Sequence, residues 1–339
     1  VQPAISTRRL TKVYRDRTIA VNDMSLDIPQ GVVFGLLGPN GAGKTTTLRL
    51  LLGLQRPTAG YAEVLGHRCG ANAVAVRRLI GYLPTNPKLP GTLRPIEYLD
   101  LLGQMCGLPA DVRKPRLTSL LRAVGLLGVT NQLIQTLSTG ETTRLGIAAS
   151  LVADPPLLIW DEPTAGLDPA ARRFTLDLIQ ELGKERTVLV ATHVLSDIDQ
   201  VCSHVGVMQE GRMIFSGSMA EMKARLRHQD IALDLEASPE ALQALAARFG
   251  EKQGLDVAVQ GGHSLVVRVA DAQRRAAALG EVLAAVAAAG IPLQTIHSGA
   301  NDTEHAYLQL LQEDEAHGFH RFQLGVADAP GAVPGGSAL

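Results

Sequence analysis

The stretch Gly38-Pro39-Asn40-Gly41-Ala42-Gly43-Lys44-Thr45-Thr46 narrows most what this chain can fold into. It has the form G-x-x-x-x-G-K-T. An apolar β-rich run, Val32-Val33-Phe34-Gly35-Leu36-Leu37, precedes it, and a helical pattern from Thr46 to Leu54 follows. Strand, glycine loop and helix in that order make a P-loop. Its glycines let successive backbone N–H groups converge on phosphate oxygens without Cβ clashes. The helix N-terminus adds partial positive charge. Lys44 is placed to reach the β- and γ-phosphates and Thr45 to hold Mg²⁺.

Length and composition set the bounds. At 339 residues the chain exceeds one typical domain, which implies two. A hydrophobic content of 46% with 19% charged residues is globular, and a formal net charge of −1 gives no electrostatic case for nucleic acid. Aromatics at 4% leave little for stacking single strands. Cys69, Cys106 and Cys202 are far apart and odd in number, so no disulfide framework is expected, in keeping with a reducing compartment. No signal-like pattern opens the chain, and no apolar run approaches the ~20 residues of a membrane span.

Along the chain, residues 5 to about 224 read as one α/β unit. Continuous apolar runs at Val32–Leu37, Leu157–Trp160, Val188–Ala191 and Val205–Met208 suit buried strands, the last turning through Glu210-Gly211 into a hairpin. The stretch from about 93 to 150 has helical periodicity only. A second unit starts near 230. Ile231–Glu236 alternates as a strand, Ser238-Pro239-Glu240 starts a helix to Phe249, and Leu255–Gln260 pairs with Ser264–Ala270 across Gly261-Gly262. An alanine-rich helix runs from Ala272 to Ala289, and Ile291–His297 is a further strand, giving the split β-α-β-β-α-β order. An amphipathic helix is expected over Asp302–Glu313, with a Gly/Ala/Pro-rich disordered tail after it. His297, His305, His317 and His320 show no compelling metal-ligand spacing.

Two further segments carry chemistry. Leu157-Leu158-Ile159-Trp160-Asp161-Glu162-Pro163 is an apolar strand ending in two acids. Asp161 suits a Mg²⁺ contact, and Glu162 suits the general-base role toward an attacking water. Leu137-Ser138-Thr139-Gly140-Glu141 precedes a helix read from Thr142 to Ala153, where the Ser138 side chain and the Gly140 N–H offer phosphate donors or serve as an ordinary helix cap.

These residues carry a resemblance. Residues 5 to about 224 resemble the ATP-binding subunits of ATP-binding cassette (ABC) transporters. Lys44 and Thr45 match the P-loop, and Asp161 and Glu162 match the Walker B acids. Ala165-Gly166-Leu167-Asp168 resembles the D-loop, His193 the switch histidine, and Tyr14 the aromatic that stacks on adenine. Leu137-Ser138-Thr139-Gly140-Glu141 is similar to the signature L-S-G-G-Q. The resemblance implies an α/β P-loop NTPase cassette over 1–224, with a helical signature subdomain at about 93–150. A small α+β, ferredoxin-like accessory domain over 230–314 and the tail 315–339 complete the chain. It also implies an ATPase with ATP and Mg²⁺ as cofactors. A second cassette, in a homo- or heterodimer, would place Ser138, Thr139, Gly140 and Glu141 on the partner's nucleotide. Integral membrane subunits would be driven from the cytoplasmic face.

Two departures stand out. The family's Gln after Ile80-Gly81-Tyr82-Leu83-Pro84 is Thr85 here, a weaker metal and water ligand, while strand alternation turns neighbouring Asn86 away. In the signature, Thr139 replaces Gly and Glu141 replaces Gln. Both departures imply slower or more tightly gated hydrolysis. The phrase Asp161-Glu162-Pro163-Thr164-Ala165-Gly166-Leu167-Asp168-Pro169 and the later Asn301–Leu308 are similar to ABC-2-type exporter subunits. Two other readings compete. One is a nucleotide-gated assembly module with weak hydrolysis. The other is a soluble, non-transport ABC ATPase, against which stand the single P-loop and the lack of sustained heptads.

Overall fold

The computed structural model describes residues 2–70, 73–224, 231–249, 255–260, 262–269 and 274–298, with 303, 307, 308, 310, 311 and 314 beyond them. Most of the helix expected over Asp302–Glu313, and the whole tail from 315, lie outside the described residues. The chain divides into two compact units, Val1–Met219 and Ala220–Leu339.

The first unit begins with strands β1 (Ile5–Val13) and β2 (Ile19–Ile28), then β3 (Val33–Leu37) and helix α1 (Lys44–Leu51). Next come β4 (Ala59–Val64), β5 (His67–Arg68), α2 (Ala73–Arg78) and β6 (Ile80–Leu83). A strand-free helical stretch follows: α3 (Pro95–Met105), α4 (Ala110–Ala123), two single 3-10 turns, and α5 (Thr139–Leu151). The unit then runs through β7 (Leu157–Asp161), α6 (Pro169–Gly183), β8 (Thr187–Thr192), α7 (Leu195–Val201) and β9 (His204–Gln209) to β10 (Arg212–Ser218), and α8 (Met219–Ala224) begins at the boundary between the two units.

Two sheets form from these strands. One is antiparallel, in the order β2-β1-β4-β5. The other has the order β10-β9-β3-β8-β7-β6 and is parallel except for the edge strand β10. The parallel strands β3, β7 and β8 are buried along their full length. That burial explains their unbroken apolar runs, since both faces of a parallel sheet are covered. Ile5, Leu10, Phe34, Leu36, Leu48, Ile159, Leu189 and Met208 share one core cluster. Each such side chain contributes about 1.5–3 kcal/mol when fully buried.

The strand order places the site. Four neighbouring strands, β3, β8, β7 and β6, run parallel, and their carboxyl ends lie level, with Leu37 opposite Thr192, Asp161 opposite Ala191 and Leu83 opposite Trp160. Loops leaving the carboxyl ends of adjacent parallel strands form the ligand crevice of open α/β sheets.

The second unit carries β11 (Ile231–Leu235), α9 (Pro239–Ala247), β12 (Leu255–Gln260), β13 (Ser264–Val269), α10 (Arg275–Ala288) and β14 (Leu293–Ser298). Its antiparallel sheet has the order β12-β13-β11-β14, the split-βαβ arrangement. Ser238 caps α9 by accepting from the Ala241 N–H. Leu233, Leu242, Leu265, Val267 and Val282 form the unit's core. Among the described residues no helix is long and apolar enough to cross a membrane.

Candidate active site

The loop from Gly38 to Gly43 bends where only glycine fits. Gly43 adopts φ 99°, and a Cβ there would lie 2.1 Å from the Ala20 carbonyl oxygen. A Cβ at Gly38 would lie 2.4 Å from the Met208 carbonyl oxygen. The backbone is thus pinned by its neighbours, Asn40 and Gly41 stay on the outside, and buried Ala42 packs into the core. Helix α1 starts at Lys44, earlier than the Thr46 expected, because left-handed Gly43 turns the chain straight into it.

Lys44 is buried, and its Nζ donates to the carbonyls of Gly38 at 2.6 Å and Pro39 at 3.2 Å. Glu162 Oε1 lies 3.7 Å from the same nitrogen. Burial pulls the amine below the ordinary lysine range, and the carboxylates of Glu162 and Asp161 partly offset that. Thr45 donates its hydroxyl to Asp161 Oδ2 at 2.9 Å. Asp161, at the end of β7, is 1% exposed, and burial raises its carboxyl above the usual range despite the Thr45 hydrogen bond.

Asp161 Oδ1 is buried with no hydrogen-bond partner among the described residues. A buried carboxylate oxygen without a donor is costly unless a cation meets it. Beside the Thr45 hydroxyl, it offers the hard oxygen ligands that Mg²⁺ takes. The residues therefore fit that ion. Thr85, two residues beyond β6, donates its hydroxyl to the main-chain oxygen of Asp161 at 3.2 Å. It borders this oxygen pair while bonding the backbone. Asn86 beside it is exposed with φ 48°.

Glu162 leaves β7 in the left-handed region, φ 51°. Such a conformation in a non-glycine residue stores about 1–3 kcal/mol and persists where its surroundings over-determine it. Those surroundings are visible. Its N–H donates to Ala191 O at 2.8 Å, Thr192 Oγ1 donates to its Oε2 at 3.1 Å, and His193 Nδ1 meets its Oε1 at 2.9 Å. Thr192, which the sequence reading passed over, also accepts from the Val194 N–H at 3.0 Å. Its only signal was its place at the end of an apolar run, just before His193.

Tyr14 follows β1. Its hydroxyl donates to Gln55 Oε1 at 3.0 Å and lies 3.3 Å from Thr46 Oγ1 on α1, so the ring stands beside the P-loop helix. The Thr46 hydrogen bond is the main cause of a lowered phenol pKa. Gln55 went unnoticed in the sequence.

The signature residues bond within their own turn. Helix α5 begins at Thr139, three residues before the start expected, so Thr139, Gly140 and Glu141 form its first turn. Ser138 is its N-cap and accepts from the Glu141 N–H at 3.3 Å. Glu141 Oε2 accepts from the Ser138 N–H at 2.9 Å and from its hydroxyl at 2.8 Å, a reciprocal capping box. The Ser138 backbone hydrogen bond draws the Glu141 carboxyl below its ordinary value. Asp168 is likewise an N-cap, its Oδ1 accepting from Ala170 and Ala171 N–H at 2.9 Å each. A Cβ on Gly140 would lie 3.5 Å from that of Ala171, so the starts of α5 and α6 are neighbours.

Structure thus brings the P-loop, Thr85, Asp161, Glu162 and His193 to the carboxyl ends of the parallel strands, with Tyr14 beside the P-loop helix. Among the described residues no group of three or more His, Cys, Asp or Glu side chains is arranged to hold a metal by itself.

Comparison with known proteins gives the family. Residues 21–165 match the family model described as ABC transporter. The daunorubicin/doxorubicin resistance ATP-binding protein DrrA of Streptomyces peucetius is 38% identical over 255 residues, 73% of this chain and 76% of that protein. ABC transporter A family member 1 of Dictyostelium discoideum is 32% identical over 70% of this chain, which spans only 28% of that relative's length. Among solved structures, cbiO1 from Clostridium perfringens, part of the ABC transporter complex cbiONQ, superposes with a TM-score of 0.60. It is 29% identical, over 66% of this chain and 92% of its own. The chain therefore belongs to the ABC transporter family, as one of its ATP-binding ATPase subunits.

Proposed function

We propose that this chain is the motor subunit of an ABC-2-type exporter, closing with a second cassette on two MgATP and driving integral membrane subunits. One observation carries the reading. Lys44, Thr45, Asp161, Glu162 and His193 come from three adjacent parallel strands and meet through contacts of 3.7 Å or less. The relatives support the exporter class. DrrA is a drug-resistance ATP-binding protein, and the bacitracin transport ATP-binding protein BcrA of Bacillus licheniformis is 38% identical over 66% of this chain.

Each residue then has a task. The P-loop backbone from Gly38 to Thr46 cradles the phosphates, and Lys44 exchanges its carbonyl partners for phosphate oxygens. Tyr14 supplies the adenine contact. Thr45 and Asp161 would hold Mg²⁺, with Thr85 at the margin, and the ion would supply neutralisation of the phosphate charge. Glu162 accepts the proton of the attacking water, and His193 holds the Glu162 carboxylate and contacts the γ-phosphate. Ser138 and Gly140 act on the partner cassette's nucleotide, with Asp168 at the start of the adjoining helix. Residues 1–224 form the cassette, and 230–314 form an accessory domain that stabilises the dimer. The protein works peripherally, on the cytoplasmic face.

A second reading has an observation of its own. The Ser138 hydroxyl is donated to Glu141 at 2.8 Å, which withholds it from phosphate and favours a gated module with weak hydrolysis. Purification of the tagged chain from gently solubilised membranes separates the two. The motor reading expects an integral membrane protein in stoichiometric amount and ATP turnover that rises in its presence. A complex whose partner leaves turnover at the isolated chain's level would favour the gated module.

A further inference from the structure

Two segments leave the neighbouring strands β7 and β8 side by side: residues 162–168 and residues 192–197. Near the strand ends they are joined by the Thr192 hydroxyl on Glu162 and by His193 on Glu162. Further out they are joined again. Thr164 Oγ1 donates to Asp197 Oδ2 at 2.6 Å. The other oxygen of Asp197 accepts from Arg172 Nε at 2.8 Å and Nη2 at 2.5 Å. Arg172 also reaches Ser196 Oγ at 2.8 Å, and it sits on α6, the helix that Asp168 caps.

Asp197 has a side chain only 3% exposed, whereas that of Arg172 is 38% exposed. A buried ion pair of this kind roughly breaks even in stability against an apolar packing of equal volume. What it does provide is geometry, because a buried carboxylate with three fixed donors admits few alternative positions. We infer that Asp197 is a positioning residue for hydrolysis. With Thr164 and Arg172 it locks the segment carrying Glu162 against the segment carrying His193.

The left-handed backbone at Glu162 gives the lock its purpose. Thr164 lies two residues beyond Glu162, so the Asp197 rung restrains that strained turn from one side while Thr192 and His193 restrain it from the other. Loosening the outer rung leaves the P-loop, Lys44 and Tyr14 untouched, since none of them bonds to Thr164, Arg172 or Asp197. The loss should therefore fall on the chemical step and spare nucleotide binding. This inference rests on the ATPase reading given above.

Thr164→Val is the sharpest test, because it keeps shape, removes one hydroxyl and leaves the Asp197–Arg172 pair in place. Steady-state ATP turnover, equilibrium ATP affinity and thermal midpoint are measured on the full chain. Wild type, Thr164→Val, Thr164→Ser and the control Glu162→Gln are compared. The expected result is a fall in kcat of about tenfold to a hundredfold, the range that misplacement of a catalytic group produces. ATP affinity should hold within about twofold of wild type, since the removed hydroxyl bonds Asp197 and not the P-loop, Lys44 or Tyr14. Thr164→Ser, which restores the hydroxyl, should recover most of the rate. Unchanged kcat in Thr164→Val, beside an inactive Glu162→Gln, would overturn the inference and leave the ATPase reading intact. A parallel drop in affinity, rate and melting temperature without serine rescue would show a purely structural contact and overturn it as well. Wild type turning over no faster than Glu162→Gln would overturn the ATPase reading, and this inference with it.

Discussion

Replacing Glu162 by glutamine keeps the side chain's shape and removes its basicity. The carboxylate is held by the Thr192 hydroxyl at 3.1 Å and His193 Nδ1 at 2.9 Å, with Lys44 Nζ at 3.7 Å, and its side chain is 11% exposed. An amide retains one acceptor oxygen, so one of the two hydrogen bonds is lost together with the attraction to Lys44. A hydrogen bond to a charged group contributes about 1.5–3 kcal/mol, and this partly screened one should cost no more than that. Set against a typical stability of about 5–15 kcal/mol, the variant should still fold. Turnover should respond far more strongly. Removing a positioned base lowers rates by about 10²–10⁴, or roughly 3–5 kcal/mol of barrier. Lys44, Thr45 and Asp161 remain, so MgATP should still bind and the closed dimer should accumulate. Phosphate release reads the first effect and size-exclusion chromatography with MgATP the second. His193→Ala should lower turnover similarly. A well-folded Glu162→Gln protein that hydrolyses ATP at the wild-type rate would refute the assignment of Glu162.

Three further outcomes follow from particular contacts. Trp160, the only tryptophan, is fully buried with its Nε1 bonded to Ser150 Oγ on α5 at 3.2 Å, so its emission should be blue-shifted without nucleotide; a water-like emission maximum in the folded protein would contradict that burial. Thr85→Gln should raise basal turnover or its stimulation by membrane subunits, because a longer amide can span to the Asp161–Thr45 oxygens where the short threonine hydroxyl is spent on Asp161; an unchanged or lower rate would mean the site's water network is adapted to threonine. Glu141→Ala removes the acceptor that holds the Ser138 hydroxyl, so it should free that hydroxyl and raise turnover while costing about 0.5–1 kcal/mol of helix capping. Because the folded-state Glu141 pKa is depressed, its stabilisation is present above the usual carboxylate range and is lost as pH falls through the folded value, so the variant's deficit should vanish in acid melts. A deficit that persists in acid would place its origin elsewhere.

Much of this was legible in the sequence because its signals are local. The P-loop glycines, the apolar runs of β3, β7 and β8, and the Ser238-Pro239-Glu240 helix start each reveal themselves within a few residues. The antiparallel sheet did not. In β1, Ile-Ser-Thr-Arg-Arg-Leu-Thr-Lys-Val, register shifts between Thr7 and Leu10 and again beyond break the alternation, and Arg9 takes a positive φ. A bulged strand rich in arginine and lysine presents no period-two pattern to find. The Thr164–Asp197–Arg172 cluster was hidden for another reason: its partners are 33 and 25 residues apart in sequence, and only the adjacency of β7 and β8 joins them. Glu141 illustrates a third limit. Sequence shows a charge replacing an amide in the signature, and only the structure shows that charge engaged by Ser138 within its own turn.

The central claim is that Lys44 and the Thr45–Asp161 oxygen pair make a Mg²⁺-dependent ATP-hydrolysing site. Phosphate release by the purified chain, measured with Mg²⁺, with chelator, and in a Lys44→Ala variant, tests it most directly. Lys44 lies within the loop's carbonyls and beside Glu162, so its loss removes a charge-assisted phosphate contact. The expected result is turnover in wild type with Mg²⁺, none with chelator, and none in Lys44→Ala, whose ATP affinity also falls. Undiminished phosphate release from a folded Lys44→Ala protein would contradict it.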